Sequence, residues 1–162
     1  LWIVEGRYAA ALVVLVVAGL SDGLDGFLAK RFDWRTRIGG LLDPAADKLL
    51  LVSVFLALAS IGAVPVLLVV IVVLRDIVIV AGALLYQLLV APLQGQPTFI
   101  SKLNTAAQLL LVLVVIVGQV AAMPLDALLL WLGAGVVFTS IVSGLSYVLT
   151  WARRAWRVAH AA

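Results

Sequence analysis

The sequence predicts an all-α, polytopic transmembrane helix bundle, and three observations predict it. Hydrophobic residues make up 65% of the 162-residue chain and charged residues 12%, where a soluble domain carries about 25% charged. Apolar runs of about 20 residues recur along the chain, each long enough to cross roughly 30 Å of hydrocarbon at about 1.5 Å per residue. Most basic residues gather in the connections between those runs. The recurrence excludes a lone signal peptide. The Val- and Ile-rich runs are read as helices despite their strand propensity, because an isolated strand leaves its backbone unsatisfied in lipid.

Taken in order, Leu1–Val4 reads as the tail of an earlier span that turns at Glu5–Gly6–Arg7. Five spans follow, at Tyr8–Leu28, Gly39–Ile61, Val64–Leu89, Leu103–Ala122 and Leu125–Thr150. The chain opens without Met in mid-apolar sequence, so a first span is expected upstream, largely missing here. No internal repeat or linker interrupts the chain, and residues 1–162 are read as a single domain. Lys30, Arg31, Arg35, Arg37, Lys102, Arg153, Arg154 and Arg157 lie on one side of this topology, against Arg7 alone on the other. The positive-inside rule places the richer side in the cytoplasm. The pI of about 9.7 is then explained by basic loops, with no nucleic acid required. Trp34, Trp151 and Trp156 are expected as interface anchors. Cysteine is absent, and the one histidine, His160, argues against a histidine-based metal site or base.

The chemistry concentrates in one segment. Asp22, Asp25, Gly26, Ala29, Lys30, Gly39, Asp43 and Asp47 spell D-x2-D-G-x2-A-K-x8-G-x3-D-x3-D, and hold four of the eight acidic residues. A carboxylate in a span costs roughly 2.5–3.5 kcal/mol on insertion scales, so four need compensation. Asp22 and Asp25 are three apart and share a helix face, with Gly26 and Ala29 leaving that face bare of bulk. Gly39, Asp43 and Asp47 fall along one stripe of the next helix. A short basic turn joins the two helices, which makes them antiparallel neighbours. Four carboxylates form a hard-oxygen site suited to Mg²⁺ or Mn²⁺, whereas Zn²⁺ prefers the His and Cys that are missing here. Two such ions would suit displacement at phosphorus. Gly26 and Gly39 permit close backbone approach of a ligand. The Lys30–Arg37 cluster offers charge to a diphosphate or to anionic head groups. A packing role for Gly19 and Gly23 is compatible with this reading.

The segment Ser21–Lys48, SDGLDGFLAKRFDWRTRIGGLLDPAADK, resembles the signature of the CDP-alcohol phosphatidyltransferase family. That pattern normally has Arg where this chain has Lys30, which keeps the charge and loses bidentate phosphate contact. The resemblance implies a six-span bundle with the signature across the second and third spans. It implies transfer of a phosphatidyl group from CDP-diacylglycerol to an alcohol, with release of CMP and no covalent enzyme intermediate. Carried over by residue, Asp22, Asp25, Asp43 and Asp47 would hold two metal ions. Asp22, Gly26, Ala29, Lys30 and Gly39 would border the nucleotide, and Asp47 would also be the general base. Downstream, PTFISKLNTAAQLLL (Pro97–Leu111) is similar to the CMP-forming cardiolipin synthase branch, whose acceptor is phosphatidylglycerol. That likeness implies acceptor and phosphate binding by Lys102 and Asn104, with Lys102 beside Asn104, Thr105 and Gln108. Arg75, mid-span in VVLRDIVIV, joins them because an arginine within a span is a functional-site candidate by default. It also implies a homodimer in a bacterial inner or mitochondrial inner membrane, with the site facing cytoplasm or matrix.

Other readings stand beside these. Arg75 is also read as half of a structural pair with a carboxylate on another helix. Its neighbour Asp76 is not expected to be the partner, since adjacent helical residues point to different faces. Lys102 is also read as an ordinary snorkelling residue. For the whole chain, the alternatives are a phosphatidylglycerol phosphate synthase using glycerol 3-phosphate, an aspartate-rich membrane prenyltransferase, and an ion transporter. The last span is read as generic.

Overall fold

The computed structural model describes residues 2–31, 39–89 and 98–159. Among them run five helices, α1 (Tyr8–Arg31), α2 (Gly39–Ser60), α3 (Val66–Leu89), α4 (Phe99–Ala121) and α5 (Asp126–Ala159), one for each expected span. By length and composition α3, α4 and α5 can each cross a membrane, and Tyr8–Ser21 forms the apolar part of α1. The side chains facing outward support a lipid environment. Leu67, Leu88, Trp131 and Phe138 are 70%, 78%, 76% and 68% exposed, which would be an aggregation liability in water. The chain is an α-helical membrane protein.

Helix ends follow from local chemistry. Beyond α2, the Gly62 amide donates to the Ala59 carbonyl and the Ala63 amide to the Leu58 carbonyl, both at 3.0 Å. Gly62 sits at φ 73°, the left-handed position that this paired C-terminal closure requires and that glycine supplies without strain. The same pairing closes the turn ahead of α1. There Gly6 donates to Ile3 at 3.1 Å and Arg7 to Trp2 at 2.8 Å, the bonding that ends a helix and agrees with the expected turn at Glu5–Gly6–Arg7. α4 starts four residues before its expected span because Thr98 caps it. The Thr98 hydroxyl accepts the Ser101 amide at 3.3 Å, satisfying a donor that the first turn would otherwise leave unpaired. α5 opens with Asp126 in its first turn, where a negative charge complements the helix dipole.

The helices form two compact units. The first holds α1, α2 and the Val112–Ala121 end of α4. Its core includes the fully buried Phe55 and Leu58 of α2, with Val112, Val115 and Ile116 of α4. An apolar crevice of about 140 Å³ is bordered by Leu15 and Ala18 of α1, Leu50 and Val54 of α2 and Ile116 of α4.

The second unit holds α3, α5 and α4 from Phe99 to Leu111. α3 and α5 pack against each other, and small residues let their backbones approach. Gly133 faces Leu68, Gly144 faces the Arg75 stem, and Gly82 lies under the Trp151 ring. Tyr147 packs on that ring, tilted 52° to it at 5.2 Å between centroids, and its hydroxyl accepts the Thr98 amide at 3.3 Å. A methyl group at position 82 would overlap Trp151 Cζ3 and Cε3. Gly82→Ala is therefore expected to cost about 1–3 kcal/mol of stability, typical of overpacking. A lowered thermal midpoint of the purified protein in detergent would show it.

Candidate active site

The first unit carries the aspartate motif. α1 runs unbroken through Asp22, Asp25, Gly26, Ala29 and Lys30, and α2 begins at Gly39 and continues through Asp43 and Asp47. The helical spacing behind the shared-face argument therefore holds for the backbone. The side chain of Asp47 is exposed. The side chains at Asp22, Asp25, Gly26, Ala29, Lys30, Gly39 and Asp43, and residues 32–38 with Arg35 and Arg37, lie outside the described residues. No group of three His, Cys, Asp or Glu side chains that could hold a metal occurs among the described residues. The donor chemistry of the motif, four carboxylates and no softer ligand, fits Mg²⁺ or Mn²⁺.

The second unit holds a buried polar network that spacing alone did not reveal. Arg75 is 6% exposed and Asp76 9%. Arg75 Nη1 donates to Asp76 Oδ1 at 2.7 Å. This overturns the expectation that these neighbours would not pair. Their Cα–Cβ bonds diverge, but the long arginine stem curls back to the carboxylate next door, and a low-dielectric interior rewards that closure. Arg75 Nη2 donates to Ser101 Oγ of α4 and to Ser143 Oγ of α5, each at 2.6 Å. One guanidinium thus ties three helices together. One turn along, Asn104 is fully buried, and its Oδ1 accepts from Thr139 at 2.8 Å and Ser140 at 2.9 Å.

Among the described residues, four buried side-chain polar atoms have no hydrogen-bond partner: Arg75 Nε, Asn104 Nδ2, and both Oε1 and Nε2 of Gln108. Exchanging the amide oxygen and nitrogen of Asn104 would still leave one of its ends unmatched. Each unmatched group costs about 1–3 kcal/mol, so the network is poorly explained by stability alone.

Lys102 does not join this group. It is exposed, and lies about 200° around α4 from the buried Asn104. The expected cluster of Lys102 beside Asn104, Thr105 and Gln108 is corrected accordingly. Arg75 bonds to Ser101 and Ser143, and Asn104, one turn along α4, bonds to Thr139 and Ser140 as a neighbouring set. The last span was read as generic, yet it supplies three of those partners. The available signal was Thr139, Ser140 and Ser143 at helical spacing on one face of an otherwise apolar helix.

The sequence profile of CDP-alcohol phosphatidyltransferases matches residues 1–152. The chain belongs to the CDP-alcohol phosphatidyltransferase family. The chain is similar to the CMP-forming cardiolipin synthase of Homo sapiens, with 34% identity over 161 residues, 90% of this chain and 54% of that protein. The corresponding synthase of Rattus norvegicus is 33% identical over 161 residues, 90% and 53% of the two chains. A chloroplastic CDP-diacylglycerol–glycerol-3-phosphate 3-phosphatidyltransferase of Oryza sativa subsp. japonica is 35% identical over 127 residues, 68% of this chain and 39% of that one. The chain spans about half the length of the two mammalian relatives.

Proposed function

We propose that this chain works as a single phosphatidyltransferase domain that joins CDP-diacylglycerol to phosphatidylglycerol, giving cardiolipin and CMP. The observation that carries the reading is its similarity to cardiolipin synthases over 90% of its length. The intact aspartate motif supports it. Asp22, Asp25, Asp43 and Asp47 are proposed to hold two Mg²⁺ or Mn²⁺ ions, whose charge would neutralise the diphosphate and its leaving CMP. Asp22, Gly26, Ala29, Lys30 and Gly39 are proposed to border the cytidine nucleotide. Asp47 accepts the proton of the acceptor hydroxyl. The hydroxyl oxygen forms its bond to the phosphorus that bears diacylglycerol, and the bond from that phosphorus to CMP breaks. Arg75 and Asn104 are proposed to receive the acceptor. The proposal includes a six-span homodimer in a bacterial or mitochondrial inner membrane, with its site on the cytoplasmic or matrix side.

A second reading, with glycerol 3-phosphate as acceptor, is favoured by the rice relative. Purified chain in detergent, given CDP-diacylglycerol and either acceptor, separates the two. Metal-dependent CMP release with cardiolipin as the lipid product is expected. Phosphatidylglycerol phosphate as the main product would favour the second reading. Absence of metal-dependent CMP release with both acceptors would overturn both readings.

A further inference from the structure

We infer that the outward face of α5, at the end where the helix leaves the bilayer, is a docking surface for an anionic phospholipid. The lipid phosphate is received at Arg153 and Arg157, and one acyl chain lies along Leu149, Leu145 and Phe138. The surface shares no residue with the aspartate motif and does not depend on the proposed reaction.

The length of α5 sets the depth of the two arginines. Its 34 residues extend about 51 Å at about 1.5 Å per residue, more than the roughly 40–45 Å of a bilayer with its head groups. The part long and apolar enough to cross a membrane runs Asp126–Arg153, which sets Arg153 where hydrocarbon gives way to head groups. The helix continues to Ala159 and carries the register position of Arg157 about 6 Å further out. The pair therefore brackets a head-group layer about 5–8 Å deep.

The register of α5 decides which way this end points. Gly133, Gly144 and Trp151 meet Leu68, Arg75 and Gly82 of α3, while Ser140 and Ser143 bond to Asn104 and Arg75. These five positions lie within about 80° of Trp151 around the helix. Phe138, Leu145, Leu149, Arg153, Trp156 and Arg157 fall about 120–240° from Trp151, on the opposite side. The three apolar residues and Trp156 are each more than half exposed, and Arg153 is exposed. Along the axis, Leu149, Leu145 and Phe138 lie about 6, 12 and 22 Å from Arg153, which covers the roughly 15 Å depth of one leaflet. An acyl chain can therefore follow this ridge from the head group to the bilayer centre, with the Trp156 indole at the interface that suits it. Charge selects the class of lipid. No Asp or Glu follows Asp126 in the chain, so α5 has no carboxylate to offer these arginines, and an anionic lipid phosphate supplies the counter-charge. Arg154 falls about 60° from Trp151, on the packed side, and is not part of the surface.

The test uses the purified full chain in a non-ionic detergent. Retention of radiolabelled dioleoyl phosphatidylserine is titrated, because this lipid is anionic and is neither donor, acceptor nor product of the proposed reaction. Wild type should hold it at least about tenfold more tightly than dioleoyl phosphatidylcholine. Arg153→Gln and Arg157→Gln should each weaken retention about fivefold, and the double variant about 25-fold. Unfolding temperatures without lipid should stay at the wild-type value, which shows that the loss is of lipid and not of fold. Arg154→Gln removes the same charge from the packed side and should keep most of the retention. Equal losses for Arg154→Gln and Arg153→Gln would reduce the effect to net charge and overturn the inference. Equal retention of phosphatidylcholine would do so too. Glycerophosphoserine, the same head group without chains, should not compete at millimolar concentration; full competition would show a site for free anions and remove the lipid surface. Each of these results is read from binding alone, so a chain that releases no CMP would refute the proposed reaction and leave this surface standing.

Discussion

Asp47→Asn is expected to lower metal-dependent CMP release by about a thousandfold or more, on the scale of losing a general base together with a metal-binding carboxylate. The exchange keeps shape and removes the charge needed to take a proton. Asp47 is exposed on α2, and Asn keeps the size and one hydrogen-bonding oxygen of the side chain, so the variant is expected to remain folded. CMP release measured beside a thermal unfolding curve checks both halves. Near-normal turnover in a folded variant would remove Asp47 from the role of base.

The second large effect concerns stability. Arg75→Met takes the guanidinium away from the buried Asp76 and from Ser101 and Ser143. Breaking a buried ion pair by removing one partner costs about 3–5 kcal/mol, and here the lost group also bridges α3, α4 and α5. A large fall in unfolding temperature is expected. The double variant Arg75→Met with Asp76→Leu should regain much of it, since removing both charges removes their desolvation as well. If the single variant unfolds like wild type, the pair is not sealed from water as its 6% and 9% exposures indicate.

How far the sequence could be read depended on what each signal measures. Hydropathy marks the thickness of lipid rather than the length of a helix. It located all five helices but stopped α1 at Leu28, where the helix continues through Ala29, Lys30 and Arg31. It also ended the last span at Thr150, where α5 runs on to Ala159. Charged and polar residues at those ends keep their intrahelical backbone bonds, so leaving the membrane does not end the helix. The aspartate motif was legible because carboxylates stand out in apolar sequence and their spacing is a property of single helices. The Arg75 network was not, because its partners come from three helices and spacing within one helix says nothing of what a neighbour presents. Serines 140 and 143 attract no notice in an α-helix until Asn104 and Arg75 face them. Asp76 was dismissed as a partner on the direction of its Cβ, an argument suited to short side chains that fails for arginine.

The pairing of Arg75 with its own neighbour bears on how the chain is made. As α3 leaves the ribosome, it precedes α4 and α5, whose serines will later complete the network. An arginine and an aspartate each oppose entry into the bilayer by about 2.5–3.5 kcal/mol when alone. Carried side by side and joined at 2.7 Å, they enter as a dipole, so α3 can be handed to the membrane before its partners have been synthesised.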